Sequence, residues 1–388
     1  MFQTALTTGA IRGLTMSPGQ TRMASPMSRQ ILRSMATMKA LVYHGQDHFG
    51  IVERPKPQVT AATDAVVKLS KTTICGTDLH ILKGDVPSVQ HGRILGHEGL
   101  GTIESVGSGV SSFKLGDRVI ISCITACGAC HYCWRGMPSH CTSGGWILGN
   151  TIDGTQAEYV RIPHADTSLH HIPSATDTAV DEDALVMISD ILPTALECGT
   201  MNGRITPGAS VAVVGAGPVG LAAVLTAQLY SPVLVIVIDR DPARLAVAQR
   251  LGATHTIHAG ADGDVVRRVL EITDGRGVDT AIEAVGIAQT FELCQDLIGV
   301  GGTIANVGVH GGKADLHLEK LWDRNVAITT RLVDAVTSPM LVELLAAGKL
   351  DAKALATHSF KFSDVEKAYA AFGDAGTSQA LKVIINFD

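Results

Sequence analysis

The chain of 388 residues carries 31 Lys+Arg against 37 Asp+Glu, a formal net charge of −6, with 46% hydrophobic and 4% aromatic residues. That apolar fraction at low net charge excludes an intrinsically disordered chain, and the missing basic surplus argues against a nucleic-acid partner. The length gives roughly two to three domains with large cores, and abundant Gly with small aliphatics suits a parallel sheet covered by helices.

Residues 1–46 contain no Asp or Glu, are rich in Ser, Thr and Met, and carry Arg12, Arg22, Arg29, Arg33 and Lys39. This composition fits a mitochondrial transit peptide. Met38-Lys39-Ala40-Leu41-Val42-Tyr43 already reads as a first strand, however, and Arg33-Ser34 can be encoded by a purine-rich ribosome-binding sequence placed for a start at Met38. The preferred reading is an upstream extension of a bacterial reading frame. On either reading residues 1–37 are expected to form a disordered extension. The compartment is then the cytoplasm, or the mitochondrial matrix if the segment is a transit peptide.

From Met38 to Asp190 short β-like runs alternate with Gly and polar turns, among them Ala65–Leu69, Gly101–Val106 and Asp117–Ser122. They predict a β-rich domain over residues 38–190. Over 191–333 near-continuous apolar strands alternate with helical stretches: Ser210–Val214, Val233–Ile238, Thr280–Val285, Gly302–Val307 and Val326–Thr330. That rhythm predicts a doubly wound parallel sheet, giving an α/β chain. The uncharged run from Ile205 to Ile238 is long enough to span a bilayer, but Pro207, Gly215, Gly217, Pro218, Gly220 and Pro232 cut it into strand, turn, helix and strand. It is read as a domain centre, leaving no membrane partner. The tail over 334–388 ends in Ala380–Ile385, a strand that can return to the first domain.

Gly215-Ala216-Gly217-Pro218-Val219-Gly220 joins a predicted strand to a predicted helix, and Asp239 follows at the end of the next strand. A lone G-x-G-x-x-G is weak; this context makes it a dinucleotide-binding turn, with a helix N-terminus for the pyrophosphate. Asp239 can accept both ribose hydroxyls and would repel a 2′-phosphate, so NAD is expected over NADP.

Cys127, Cys130, Cys133 and Cys141 form C-x2-C-x2-C-x7-C among Gly128, Gly136 and Ser139. Two disulfides are the alternative, but clustered thiols without a secretory signal favour a tetrahedral zinc with all four places filled, a structural site. Cys75-Gly76-Thr77-Asp78-Leu79-His80 and Gly96-His97-Glu98 are less compact. Taken alone, Cys75 and His97 read as a buried thiol and a core histidine; beside a nucleotide fold they become candidate ligands of a zinc with one open place.

In this order, these motifs resemble the zinc-dependent medium-chain alcohol dehydrogenases, over essentially all of Met38–Asp388. The stretch from Gly145 through Val160 resembles the secondary-alcohol and formaldehyde dehydrogenase branches. The resemblance implies a GroES-like catalytic domain, a Rossmann NAD-binding domain inserted before the return segment, and two zinc ions per chain. It implies Cys75 and His97 as catalytic-zinc ligands, with Asp190 third, where many members have Cys; Cys198 is read as packing. Thr77 would take the alcohol proton and pass it through the cofactor ribose to His80. Asp78 would bond the distal nitrogen of His97, and Glu98 would stand behind the zinc as a carboxylate or transient ligand. Gly215, Gly217, Pro218, Val219, Gly220 and Asp239 would hold NAD. Gly76 lies where some members carry an Arg for the pyrophosphate, and Lys382 is the expected replacement. Trp146 is the expected bulky pocket residue. The implied activity is reversible oxidation of short primary or secondary alcohols by a homo-oligomer, a tetramer or dimer. The alternatives are a polyol, threonine or formaldehyde dehydrogenase of the same fold, and a zinc-bearing interaction module without catalysis.

Overall fold

The computed structural model describes residues 36–172 and 180–388. The expectation for residues 1–37 thus lies outside the described residues, except that Thr37 already pairs with Pro55 at the start of a strand. In chain order the strands are β1 (Thr37–Gly45), β2 (His48–Pro55), β3 (Ala65–Thr73), β4 (Gly99–Val106), β5 (Arg118–Ile121), β6 (Tyr159–Ile162) and β7 (Leu169–His171). There follow β8 (Ser210–Val214), β9 (Leu234–Asp239), β10 (His255–His258), β11 (Val278–Glu283), β12 (Ile298–Asn306), β13 (Ala327–Thr330), β14 (Ala356–Lys361) and β15 (Lys382–Asn386).

Strands β8–β13 form a six-stranded sheet in the order β10-β9-β8-β11-β12-β13, parallel at every pair. Along β8 and β9, Val211, Val213, Val235 and Val237 enter one core, while Ala212, Val214, Ile236 and Ile238 enter the core on the other face. A strand buried on both faces has no polar side, which is why these segments read as continuous apolar runs. The chain order reverses between β8 and β11, so the crevice at a topological switch point opens where Val214 leads into the glycine turn. The apolar run of residues 205–238 resolves as expected into β8, the helix Pro218–Gln228 and β9. Among the described residues, no single helix is long and apolar enough to cross a membrane.

Strands β3–β7 join β14 and β15 in a seven-stranded sheet, β14-β15-β3-β4-β5-β7 with β6 on β3, while β1 and β2 pair in a two-stranded sheet of their own. Its centre, β3, pairs antiparallel with β15, so the return segment closes the first domain with Ile384 opposite Thr73. Three metal-ligand candidates are set by this sheet and its neighbour: Cys75 just after β3, His97 just before β4, and Asp190 at the junction of the turn Val186–Ser189 and the helix Ile191–Thr194. The Ser189 hydroxyl bridges N–H and C=O of Gly99 at 3.2 Å each, tying the Asp190 turn to the His97 strand.

Candidate active site

Cys75, His97, Glu98 and Asp190 each present one ligand atom, and all four atoms lie within 4.8 Å of one another. His97 Nε2 is 3.3 Å from Asp190 Oδ2, and Cys75 Sγ is 3.9 Å from the same oxygen. Ligand atoms on a tetrahedral zinc stand about 3.4–3.8 Å apart, so this donor set fits the ion. Burial alone raises the Asp190 carboxyl, but hydrogen bonds from His97 and Thr194 and the charge of His97 hold it well below the usual carboxylate range. Cys198 is buried with Cys123, Ile124, Val333 and Ala335, and burial pushes its thiol up to about 12, as suits packing.

Glu98 is the fourth donor, and it is engaged elsewhere. Lys382 Nζ donates to Glu98 Oε1 at 2.6 Å and to the Ile74 carbonyl at 3.3 Å, with both side chains 1% exposed. The expectation that Lys382 serves a pyrophosphate is therefore corrected: its ammonium is enclosed and paired. Burial opposes that charge, but Glu98 outweighs it and the Lys382 pKa is raised. The Lys382 contact takes up Glu98 Oε1, whereas Oε2 is buried without a hydrogen bond.

Asp78 also departs from its expected partner. Its Oδ2 accepts from Cys75 N–H at 2.9 Å and from Gln156 Nε2 at 3.3 Å, rather than from the His97 ring. Its Oδ1 is buried without a hydrogen bond; burial raises the carboxyl while the His97 charge opposes the shift. Gln156 in turn bonds the Thr73 carbonyl and accepts from Tyr369 in the return segment at 2.8 Å. Asp78 thus fixes the loop that aims Cys75 and meets His97 only through charge.

Thr77 Oγ1 lies 3.7 Å from Cys75 Sγ, and His80 sits three residues further along the helix Gly76–Leu82, half-exposed and 3.0 Å from Asp85 Oδ2. Trp146 is half-buried, its ring nearly perpendicular to the His97 ring with centroids 6.3 Å apart.

At the switch point, Gly215 has φ +101°, and a side chain on Gly220 would collide with the Gly215 carbonyl oxygen. A Cβ on Gly217 would meet only Arg244 Nη1 at 4.0 Å, so space over that backbone is free for a ligand. Gly217 caps the helix Pro218–Gln228, whose first N–H groups face the same space. Asp239 Oδ2 accepts from Ala216 N–H at 2.6 Å and Oδ1 from Asp241 N–H at 2.8 Å, so the carboxylate is held against the turn. Arg244 was not among the expected residues. It lies five positions beyond Asp239 on the next helix, and a basic residue at that offset is the available sequence signal.

In the cysteine lobe Cys127, Cys130, Cys133 and Cys141 converge within the same 4.8 Å limit. Cys130 Sγ and Cys133 Sγ are 3.5 Å apart and unbonded, against the disulfide alternative. Backbone N–H groups of Cys133 and Thr142 lower Cys130 to about 5, whereas burial and the neighbouring Cys130 push Cys133 up to about 12. Four thiols this crowded cannot all ionise without a cation, which a zinc ion would supply.

Three buried carboxylates beside these sites were missed. Glu197, in the π-turn Ala195–Met201, accepts from the N–H groups of Asp334, Ala335 and Thr337. Asp334 accepts in turn from Ser139 of the cysteine lobe and from Arg331. Glu283, ending β11, holds the N–H groups of Val285 and Gly286 beside the glycine turn.

Comparisons with known proteins agree with this geometry. Residues 61–174 match the family described as Alcohol dehydrogenase GroES-like domain, and residues 218–347 the one described as Zinc-binding dehydrogenase. An alcohol dehydrogenase of Cupriavidus necator is 36% identical over 366 residues, covering 87% of this chain and 96% of that protein. The NADP-dependent isopropanol dehydrogenase of Thermoanaerobacter brockii is 32% identical over 347 residues, with the same shares covered. The apo structure of zinc-dependent alcohol dehydrogenase 2 from Streptococcus pneumonia superposes with a TM-score of 0.86 at 50% identity, over 90% of this chain and 99% of that one. With two thiol-bearing ligand clusters, a GroES-like sheet and a Rossmann sheet in one chain, this protein belongs to the zinc-type medium-chain alcohol dehydrogenase family, and is an oxidoreductase of that family.

Proposed function

We propose that the chain reversibly oxidises short primary or secondary alcohols to aldehydes or ketones, with NAD as hydride acceptor and two zinc ions per chain. The observation that carries this is the convergence of Cys75, His97 and Asp190, with the fourth donor, Glu98, paired to Lys382 through Oε1. Zinc on those three residues would supply a Lewis acid for the alcohol oxygen, and NAD the hydride acceptor. Thr77, beside Cys75, accepts the alcohol proton as its own hydroxyl proton passes on toward His80, which lies one helical turn on, half in solvent, and releases a proton from the protein. Trp146 limits the bulk admitted beside His97. Asp239 favours NAD, in contrast to the name of the Thermoanaerobacter brockii relative, because a second negative group at the ribose would face its carboxylate. Arg244 replaces Lys382 as the cation flanking the cofactor turn.

The cysteine lobe is read as a structural zinc site, and its clustered thiols suit a reducing compartment, the cytoplasm. A homodimer or homotetramer is supported by the outer edge of β13, where Ile328 is 36% and nearby Trp322 78% exposed.

Elemental analysis of the purified protein tests the proposal, with two zinc ions per chain expected. Asp190→Asn should lose one ion together with turnover while keeping NAD affinity, and Cys130→Ser should lose the other with a lower Tm. Retention of both ions by Asp190→Asn would overturn the ligand assignment.

A further inference from the structure

Resting on the reading of Asp190 as a metal ligand, we infer that Thr194 is a positioning residue that makes Asp190 a one-oxygen ligand and thereby keeps the substrate place on the metal open.

A thiolate offers a metal one donor atom, but a carboxylate offers two and can bind a divalent ion through one or both. A chain with Asp at the third ligand position therefore meets a problem that Cys does not pose. If both oxygens reached the ion, the protein would supply a fourth donor atom and compete with the alcohol oxygen. The structure shows a device against this. Thr194 Oγ1 donates to Asp190 Oδ1 at 2.7 Å, while Oδ2 alone faces the other ligand atoms, 3.3 Å from His97 Nε2 and 3.9 Å from Cys75 Sγ.

The pairing is local and inexpensive in entropy. Thr194 N–H also bonds the Asp190 carbonyl at 2.9 Å, so one helical turn brings the two side chains together at spacing i, i+4. A Thr hydroxyl in a helix commonly turns to a backbone carbonyl one turn back; here its proton goes to the carboxylate. Asp190 Oδ1 is thus engaged by the Thr194 hydroxyl, as Glu98 Oε1 is engaged by the Lys382 ammonium.

The test is Thr194→Val, which keeps the shape and removes the hydroxyl, beside Thr194→Ser, which keeps the hydroxyl. Zinc affinity is read by competition with a chromophoric chelator, and alcohol KM and kcat are measured separately. Freed of Thr194, Oδ1 turns to the metal. The Val variant should hold zinc at least as tightly as wild type, with an unchanged NAD dissociation constant, while kcat/KM for the alcohol falls about 10- to 100-fold through a higher KM, the range by which losing a partner of a metal ligand lowers activity. The Ser variant should restore wild-type KM. A wild-type KM in the Val variant overturns the inference; so does weakened zinc binding, which would mean that Thr194 only steadies the ligand. Thr194→Ala is the second hydroxyl-free variant if Val lowers Tm. If Asp190→Asn retains both zinc ions, the ligand reading itself fails, whatever Thr194 does.

Discussion

Replacing Glu197 by Ala should destabilise the protein more than removing any surface charge pair, although Glu197 touches neither metal cluster nor the cofactor turn. Its carboxylate is 1% exposed and accepts four hydrogen bonds, from Asp334 N–H at 2.8 Å, Ala335 N–H at 3.1 Å, Thr337 N–H at 2.9 Å and the Thr337 hydroxyl at 2.9 Å. Truncation strands three backbone donors, two of them on buried residues, at about 1–3 kcal/mol each, giving a loss of roughly 3–6 kcal/mol after partial rescue by water. Glu197→Gln keeps one acceptor oxygen but turns an NH2 group toward a donor, so it should cost about half as much. The assay is the melting transition of zinc-loaded protein followed by amide exchange of residues 334–337. For a chain of this size each kcal/mol moves Tm by about 2–4 °C or less, so the Ala variant should melt several degrees below wild type, with faster exchange in that loop. Exchange should also rise at Ser139, because Asp334 accepts from its N–H at 3.0 Å and hydroxyl at 2.6 Å. A Tm within one degree of wild type, or a drop with no change in loop exchange, would refute the clasp.

Two further outcomes follow from single groups. His170 lies opposite Ile120, and burial lowers its pKa to about 4 from the usual 6.5. With its pKa lowered on folding, this half-buried histidine contributes stability above its unfolded pKa and loses it as pH falls, here at most about 3 kcal/mol between pH 6.5 and pH 4. His170→Phe should therefore flatten the acid side of the Tm–pH curve relative to wild type, and an unchanged slope would count against the burial argument. For the cofactor, Asp239→Gly removes the ribose acceptor and the repulsion of a 2′-phosphate, so the NADP to NAD ratio of kcat/KM should rise; a wild type that already prefers NADP would sink the reading.

What was legible in the sequence was chemistry carried within one short segment. The glycine turn declares itself because Gly215 and Gly220 answer steric demands imposed by residues within a few positions. The cysteine lobe does so because thiols are scarce and four of them lie within fifteen positions. Asp190 carries no local signature and came from the resemblance alone. Most strands of the two sheets were legible for a different reason: burial on two faces writes a run and burial on one face writes an alternation.

Pairings that cross the fold were not legible, and Lys382 shows why. A lysine in an apolar strand near the end of the chain invites an exposed role, since an ammonium is seldom buried without a partner. Its partner is Glu98, 284 residues away, brought beside it because β15 pairs with β3. Glu197 was hidden more deeply, since its main partners are backbone N–H groups and every non-proline residue has one. Thr194 lies between these cases. Its spacing of four from Asp190 was open to inspection, but a Thr one turn after an Asp acquires meaning only when the Asp is a metal ligand with an oxygen to spare. Each missed residue governs a donor atom or a loop beside a recognised site. That follows from the physics: a ligand's identity is a property of its own side chain, whereas its aim is a property of whatever the fold places against it.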